Sequence, residues 1–497
     1  MIEGSDRNNL SSSQRLALAA ALLASAVAAH ADDDVRVESL PTYGLLGFES
    51  VRLPRGERMG LVSGSLLFDI GGDWDIGPAV YGAATGRRGG LFVGGVALQR
   101  RWGLGNGLSL ATGLFAGGGG GAAAPVGGGL MLRPAVTLLK ELGPTLLLGV
   151  SWSSVRFPGG DIRSNQLGLT LGWRQEFLHF SGSGPIPNAS MQSVAGLGFD
   201  RIEATVSTYK PDGGGRRIGL VGARAERRSH LDGFTWGVEA AAAAKGDAAG
   251  YLEILGMTAY SVAPLGSTLP TWRIGARLGA GVGGGGAVPT GGGLIGKAAG
   301  TMEWSPLRGW TIGAEYGLVH SRGNFLARHA QVWLGVDLEP GIDGVGSVNK
   351  VIRTEWVGAW QHHTRIARSD GTHQPLDTIG LTLNRYLGDH LYLTGQAHSA
   401  FAGGAGAYSV GLVGVGASAT PMASLRVGAE ALIGAAGGGG VATAGGAVTQ
   451  GLAWAAWQPG SVGEIRLGLG AARPLHGRHA GPVLELSWGR AFGMAGR

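Results

Sequence analysis

Residues 165–174 read NQLGLTLGWR. In an extended chain successive side chains point to opposite faces, so Leu167, Leu169, Leu171 and Trp173 share one side. Gln166, Gly168, Thr170 and Gly172 share the other. Residues 376–386 repeat the pattern, with Ile379, Leu381 and Leu383 against Thr378, Gly380, Thr382 and Asn384. Residues 331–338 alternate Val332, Leu334, Val336 and Leu338 with Gln331, Trp333, Gly335 and Asp337. Period-two alternation specifies strands with one apolar face and one small or polar face. The punctuation between segments (GGD, LGDH, SPLRG, PDGGGRR) is turn chemistry. The chain therefore reads as all-β.

The environment of those apolar faces follows from the rest of the sequence. Of 497 residues, 97 are glycine and only 15% are charged, against roughly 25% charged in an ordinary soluble domain. An apolar fraction of 44% and 14 tryptophans argue against disorder. A net charge of +6 without a dense basic cluster gives no footprint for nucleic acid. Arg7 and Arg15 precede the apolar run 16–29, which ends in Ala29-His30-Ala31 before three aspartates. This is the layout of a secretory signal peptide over residues 1–31, with the mature chain starting near Asp32. There is no cysteine, so neither a lipoprotein anchor nor a disulfide is expected. No second apolar run reaches the about 20 residues that a spanning helix needs. An exported chain of this kind that meets lipid has one remaining solution, the closed β-barrel.

Walking the sequence gives about 24 strands, each near or above the roughly 9–11 residues that cross a bilayer. Three glycine blocks lie in register: GGGGGAAAPVGGGLM at 117–131, GVGGGGAVPTGGGLIG at 281–296 and GAAGGGGVATAGGAV at 434–448. Each spans the fifth and sixth strands of a group of eight. The expected organisation is three repeats of an eight-stranded unit, 32–180, 199–340 and 351–492, joined by linkers at 181–198 and 341–350. Glycine and alanine at many inward positions favour a single transmembrane antiparallel barrel of about 24 strands. The alternative is three separate eight-stranded barrels.

If the N-terminus lies in the periplasm, Trp74, Trp102, Trp304, Trp310 and Trp457 all fall at periplasmic strand ends, as an aromatic girdle would. The last strand, GPVLELSWGRAF, puts Leu484, Leu486, Trp488 and Phe492 on one face. It resembles the terminal strand of Gram-negative outer-membrane β-barrel proteins, a porin-like or exporter-like architecture. That resemblance implies outer-membrane lipid as surroundings and the barrel-assembly machinery as a partner that reads the strand ending at Phe492. The sequence departs from the pattern by continuing through GMAGR.

The expected function is a pore or export channel passing solutes, or a polymer or protein segment supplied by a periplasmic or translocated partner. The alternatives are an outer-membrane enzyme acting on lipid and a structural surface protein. A gate is expected at Gly118, Gly119, Gly120, Pro125, Gly284, Gly285, Gly286, Pro289, Gly438, Gly439 and Gly440. Arg353, Glu355, Gln361, His363 and Arg365 share one side of a strand and are expected to line the pore. No catalytic residue, metal or cofactor is expected. Gly279–Gly284 fits a dinucleotide fingerprint without its βαβ unit, and GGGLIGK at 291–297 resembles a P-loop but has Ala298 where Ser or Thr is required. Ser409 lacks the glycine two residues before it that a nucleophile elbow needs, and His362 and His363 point to opposite faces.

Overall fold

The computed structural model describes residues 36–181, 196–263, 272–307, 309–338, 350–422, 424–458, 463–477 and 480–496. The predicted leader and most of both linkers lie outside them. The described residues form 24 strands. The first eight are β1 (Arg36–Arg52), β2 (Arg58–Gly71), β3 (Trp74–Thr85), β4 (Phe92–Gly105), β5 (Leu108–Gly120), β6 (Met131–Glu141), β7 (Leu146–Arg156) and β8 (Arg163–Ser181). Then follow β9 (Arg201–Pro211), β10 (Ile218–Arg228), β11 (Phe234–Lys245), β12 (Leu252–Val262), β13 (Trp272–Gly284), β14 (Leu294–Leu307), β15 (Trp310–Ser321) and β16 (Leu326–Asp337). The last are β17 (Lys350–Ala367), β18 (His373–Tyr386), β19 (Leu391–Ala402), β20 (Ser409–Met422), β21 (Leu425–Gly437), β22 (Ala447–Trp457), β23 (Glu464–Pro474) and β24 (Gly481–Gly496).

Within each group every strand pairs antiparallel with the next, and the first also pairs with the eighth: β1 with β8, β9 with β16, β17 with β24. The chain thus closes three eight-stranded rings, barrels 1, 2 and 3. The single 24-stranded barrel favoured by the sequence is corrected accordingly. Among the described residues β8 does not pair with β9, nor β16 with β17; one pair, Phe180 with Gly493, joins the rings of barrels 1 and 3. The physical reason lies in the inward glycines, which do not leave voids. Large rings from neighbouring strands lie flat on them. A β-carbon on Gly313 would fall 2.1 Å from the Trp333 ring, one on Gly416 2.2 Å from Tyr392, and one on Gly428 2.4 Å from Trp454. Glycine on one strand is the space that an aromatic on the next occupies, which fits the narrow interior of an eight-stranded barrel.

The three barrels touch in a cycle. β3 of barrel 1 meets β13 of barrel 2, β11 of barrel 2 meets β21 of barrel 3, and β19 of barrel 3 meets β5 of barrel 1. In each case the third strand of one barrel meets the fifth strand of the next. This pseudo-threefold closure is concentrated at one end, where the glycine blocks lie. At the opposite end barrels 1 and 3 also share an aromatic cluster. Phe68 and Trp356 rings are 4.7 Å apart, Phe68 and Phe177 5.5 Å, and Phe177 and Phe492 5.1 Å, all edge-to-face. Beyond Phe492 the chain stays in β24, and residues up to Gly496 pair with β17.

Candidate functional site

The interiors hold the polar chemistry. Along β9, Arg201, Glu203, Thr205 and Ser207 turn inward while Ile202 and Val206 are exposed. The same alternation on the other strands fills each lumen with charge. In barrel 2, Arg224 donates to Glu203 at 2.7 Å and Glu239 at 2.8 Å, and Lys297 donates to Glu239 at 2.6 Å. Arg277 donates to Glu226 at 2.7 Å and Glu315 at 2.5 Å. Both guanidiniums stack on Trp333, at 4.8 Å and 4.9 Å from its ring centre. In barrel 3, Glu355 accepts from Arg353 at 2.5 Å, Arg426 at 2.9 Å and Arg466 at 2.6 Å. In barrel 1, Glu49 accepts from both Arg133 Nε at 2.8 Å and Ser153 at 2.5 Å. Buried charges persist only when paired and hydrogen-bonded, so these networks are fixed constrictions rather than loose linings.

The mouths at the hairpin end differ. Barrel 1 is stoppered by Phe157 and Ile162, from the turn after its seventh strand, packed against Val126 at the tip of its own glycine block. The Asp161 backbone N–H donates to the Pro125 carbonyl at 2.9 Å and holds tip to turn. Arg88 ties the same tip down from the other side. It donates to the Ala122 and Ala123 carbonyls at 3.0 and 2.9 Å while pairing with Glu57 at 2.6 Å. That hydrogen-bonded pairing holds the Glu57 carboxyl below its ordinary range. Barrel 2 is filled likewise by Tyr209, Tyr251 and Phe325 beneath Val288.

Barrel 3 departs from this plan. Its hairpin tip is drawn to the β17–β18 turn. The Ser369 N–H donates to the Gly440 carbonyl at 2.8 Å and the Ala442 N–H to the Ala367 carbonyl at 2.9 Å. In its seventh-to-eighth turn Leu475 stands 42% exposed rather than inserted. What remains is a cavity of about 290 Å³ bounded by Val410, Leu412, Val441, Val448, His363 and Gln450. Barrel 1 keeps a far smaller interior space, about 80 Å³, beside Glu49 and Arg133. His363, which borders the cavity, and His398 are 2% exposed, and His398 has no described hydrogen-bond partner at either ring nitrogen. Thr378 and Gln361 also carry buried oxygens without a partner.

The residues singled out in the sequence sort into two places. Arg353, Glu355, Gln361, His363 and Arg365 all belong to β17. Arg353 and Glu355 join the ion network, Gln361 donates to Glu485 at 2.9 Å, and His363 and Arg365 border the cavity. The glycines and prolines assigned to a gate lie in the tips that cap individual barrels and in the seams between barrels. A β-carbon on Gly118 would fall 2.7 Å from the Ala400 carbonyl, one on Gly284 2.5 Å from Gly90 N, and one on Gly438 2.0 Å from the Ala407 carbonyl. Gly120 approaches the Gly406 carbonyl, Gly285 the Gly250 carbonyl and Gly439 the Ala405 carbonyl. Gly119 and Gly286 crowd Phe92 and Ala248, and Pro289 faces Gly323. No described backbone or side-chain atom comes within 4 Å of a β-carbon built on Gly440. Lys297, the P-loop look-alike, is buried on Glu239. The networks around Arg224 and Glu355 were legible only as charged residues at alternate positions, as in RIEATVS and GARAE.

Outside, every barrel carries exposed apolar side chains. Leu167, Leu169, Val206, Leu278, Leu467 and Leu469 are between 57% and 69% exposed. Trp74, Trp102, Trp304, Trp310 and Trp457 are also exposed, and all lie at the end opposite the glycine blocks.

No family model and no curated protein matches the chain. Solved structures that align over most of its length include Pseudomonas aeruginosa OccK9 (OpdG), 12% identical, covering 93% of this chain and 99% of that one at a TM-score of 0.20. Others are the BenF-like porin from Pseudomonas fluorescens Pf-5, at 11%, 93%, 96% and 0.23, and Acinetobacter baumannii OccAB3, at 9%, 93%, 100% and 0.21. The fold stands on this chain's own strand pairing.

Proposed function

We propose that the chain is an outer-membrane protein of Gram-negative bacteria that spans the bilayer as three small barrels and passes small solutes through barrel 3. Barrels 1 and 2 serve as packed scaffolds. The observation that carries this reading is the difference between the mouths: Phe157 and Phe325, from the turn after the seventh strand, stopper barrels 1 and 2, whereas in barrel 3 Leu475 of that turn stands exposed and a cavity remains beside the buried Tyr408, His363 and Gln450. Those groups suit a file of water or a small polar solute. The ladder Arg353, Glu355, Gln361, His363 and Arg365 lines this route. The glycine hairpins restrict access barrel by barrel. Insertion by the barrel-assembly machinery through β24 accords with the alternation ending at Phe492.

Single-channel recording of the mature protein in planar bilayers tests the route. The expected result is small current steps that Leu412→Trp, placed in the barrel 3 mouth, abolishes in a folded variant. Steps that persist in Leu412→Trp would move the path out of barrel 3, and no steps from folded wild-type protein would remove the channel.

The membrane assignment rests on the exposed apolar bands, and predicts a cost for a charge within them. Leu169→Arg should reduce folding stability in lipid vesicles by about 2–4 kcal/mol, the cost of a cation on the lipid face near the midplane. Leu231→Arg, in a turn and already 69% exposed, should change it little. Equal stabilities in a urea titration would place the Leu169 face in water.

A further inference from the structure

We infer that the mouth of barrel 3 binds a small amphipathic anion, an aliphatic carboxylate of medium chain length. The inference names the solute for the route proposed above and rests on that reading for its role, though not for its binding. The cavity has an apolar wall and a basic rim. Val410, Leu412, Val441 and Val448 form the wall, and each is buried. His363 and Gln450, 2% and 4% exposed, border it as well.

The charge around the cavity selects the sign of the ligand. Arg365 and Arg473 border it, both exposed, and neither forms an ion pair with a described residue. No described aspartate or glutamate borders it. This is the reverse of the lumen below, where every arginine is matched by carboxylates. Guanidinium presents paired donors that match a planar carboxylate. At about 290 Å³ the space sits at the lower edge of the roughly 300–1,000 Å³ of small-molecule sites, which limits the occupant to a short chain. In barrels 1 and 2, Phe157 and Phe325 from the matching turns are packed into the mouth cores instead.

Equilibrium dialysis of radiolabelled octanoate against the whole mature protein in nanodiscs, with empty nanodiscs subtracted, tests the site without requiring conductance. One saturable site per chain is expected. The double variant Arg365→Gln/Arg473→Gln should bind octanoate at least tenfold more weakly, and Leu412→Trp should bind none. Octylamine should compete at least tenfold less well than octanoate. Far-UV circular dichroism and heat-modified gel mobility confirm that each variant is folded; both arginines are exposed at the rim, outside the ion networks. No saturable binding in wild type, binding indifferent to both variants, or equal competition by octylamine would each overturn the site. Octanoate binding without any current would overturn the channel and leave the site standing.

Discussion

Gly437→Val should part barrels 2 and 3 at their hairpin ends while leaving both barrels closed. Gly437 ends β21, in the seam with the β11–β12 turn. A β-carbon there would fall 2.1 Å from the Gly250 nitrogen and 2.7 Å from the Ala249 carbonyl carbon. These are backbone atoms, which cannot swing aside as a side-chain tip would. The same seam recurs around the cycle. A β-carbon on Gly446 would meet the Ala243 carbonyl at 2.4 Å, one on Gly293 the Ala83 carbonyl at 2.1 Å, and one on Gly129 the Ala400 carbonyl at 2.4 Å. Overpacking of this kind costs about 1–3 kcal/mol when side chains can adjust, and a backbone seam has less room to adjust. Because the chain has no cysteine, spin labels at Asp247→Cys and Ala444→Cys report this seam alone. The label distance should lengthen by several ångström and broaden in Gly437→Val, with unchanged far-UV circular dichroism. Gly411→Ala is the control, since nothing lies within 4 Å of its β-carbon. An unchanged distance in Gly437→Val would mean that something other than glycine seams holds the barrels together.

That seam explains the glycine blocks, and it also shows what the sequence could and could not disclose. Alternation such as Leu167, Leu169 and Leu171 against Gln166 and Gly168 reports which way each side chain points, because local extension decides it. Turn residues bound the strands, so 24 strands and the in-register glycine blocks were readable. Closure was not. Whether β8 returns to β1 or continues to β9 depends on the volume enclosed, and that volume is shared across strands. Gly313 looks empty in sequence; in the barrel it lies under Trp333. The inward face of β17 was readable for the same local reason, through Arg353, Glu355 and Gln361. Their partners Arg426, Arg466 and Glu464 come from strands many tens of residues away, and nothing local announces them. The cavity was beyond reach too, since it exists where Leu475 stands exposed while Phe157 and Phe325, in the matching turns, insert.

Arg224→Met should be the most damaging single change in the protein, lowering the stability of barrel 2 by about 3–5 kcal/mol, the cost of breaking a buried ion network at one partner. The Arg224 side chain is 0% exposed and its carboxylate neighbours are nearly so: Glu203 at 2.5 Å, Glu239 at 2.8 Å, Glu226 at 3.2 Å and Glu315 at 3.5 Å. Without it, among the described residues, Glu203 keeps Arg201, at 3.8 Å, as its one ion-pair partner. The remaining carboxylates then repel one another in a lumen where Glu203, Glu239 and Glu315 are buried from water. Methionine preserves much of the arginine stem, so lost packing alone accounts for little. The double variant Arg224→Met/Glu203→Leu separates charge from shape. Replacing both members of a buried pair with apolar groups of similar size is often close to neutral, so the double variant should recover at least half of the loss. Urea titration of each variant in vesicles, with hydrogen exchange read separately for β9–β16, gives the cycle. Effects that add to within about 0.5 kcal/mol would mean that the two residues act independently. Strong coupling would mean that the lumen of barrel 2 is a solid ionic core, and that the open mouth of barrel 3 is the exception around which the protein is built.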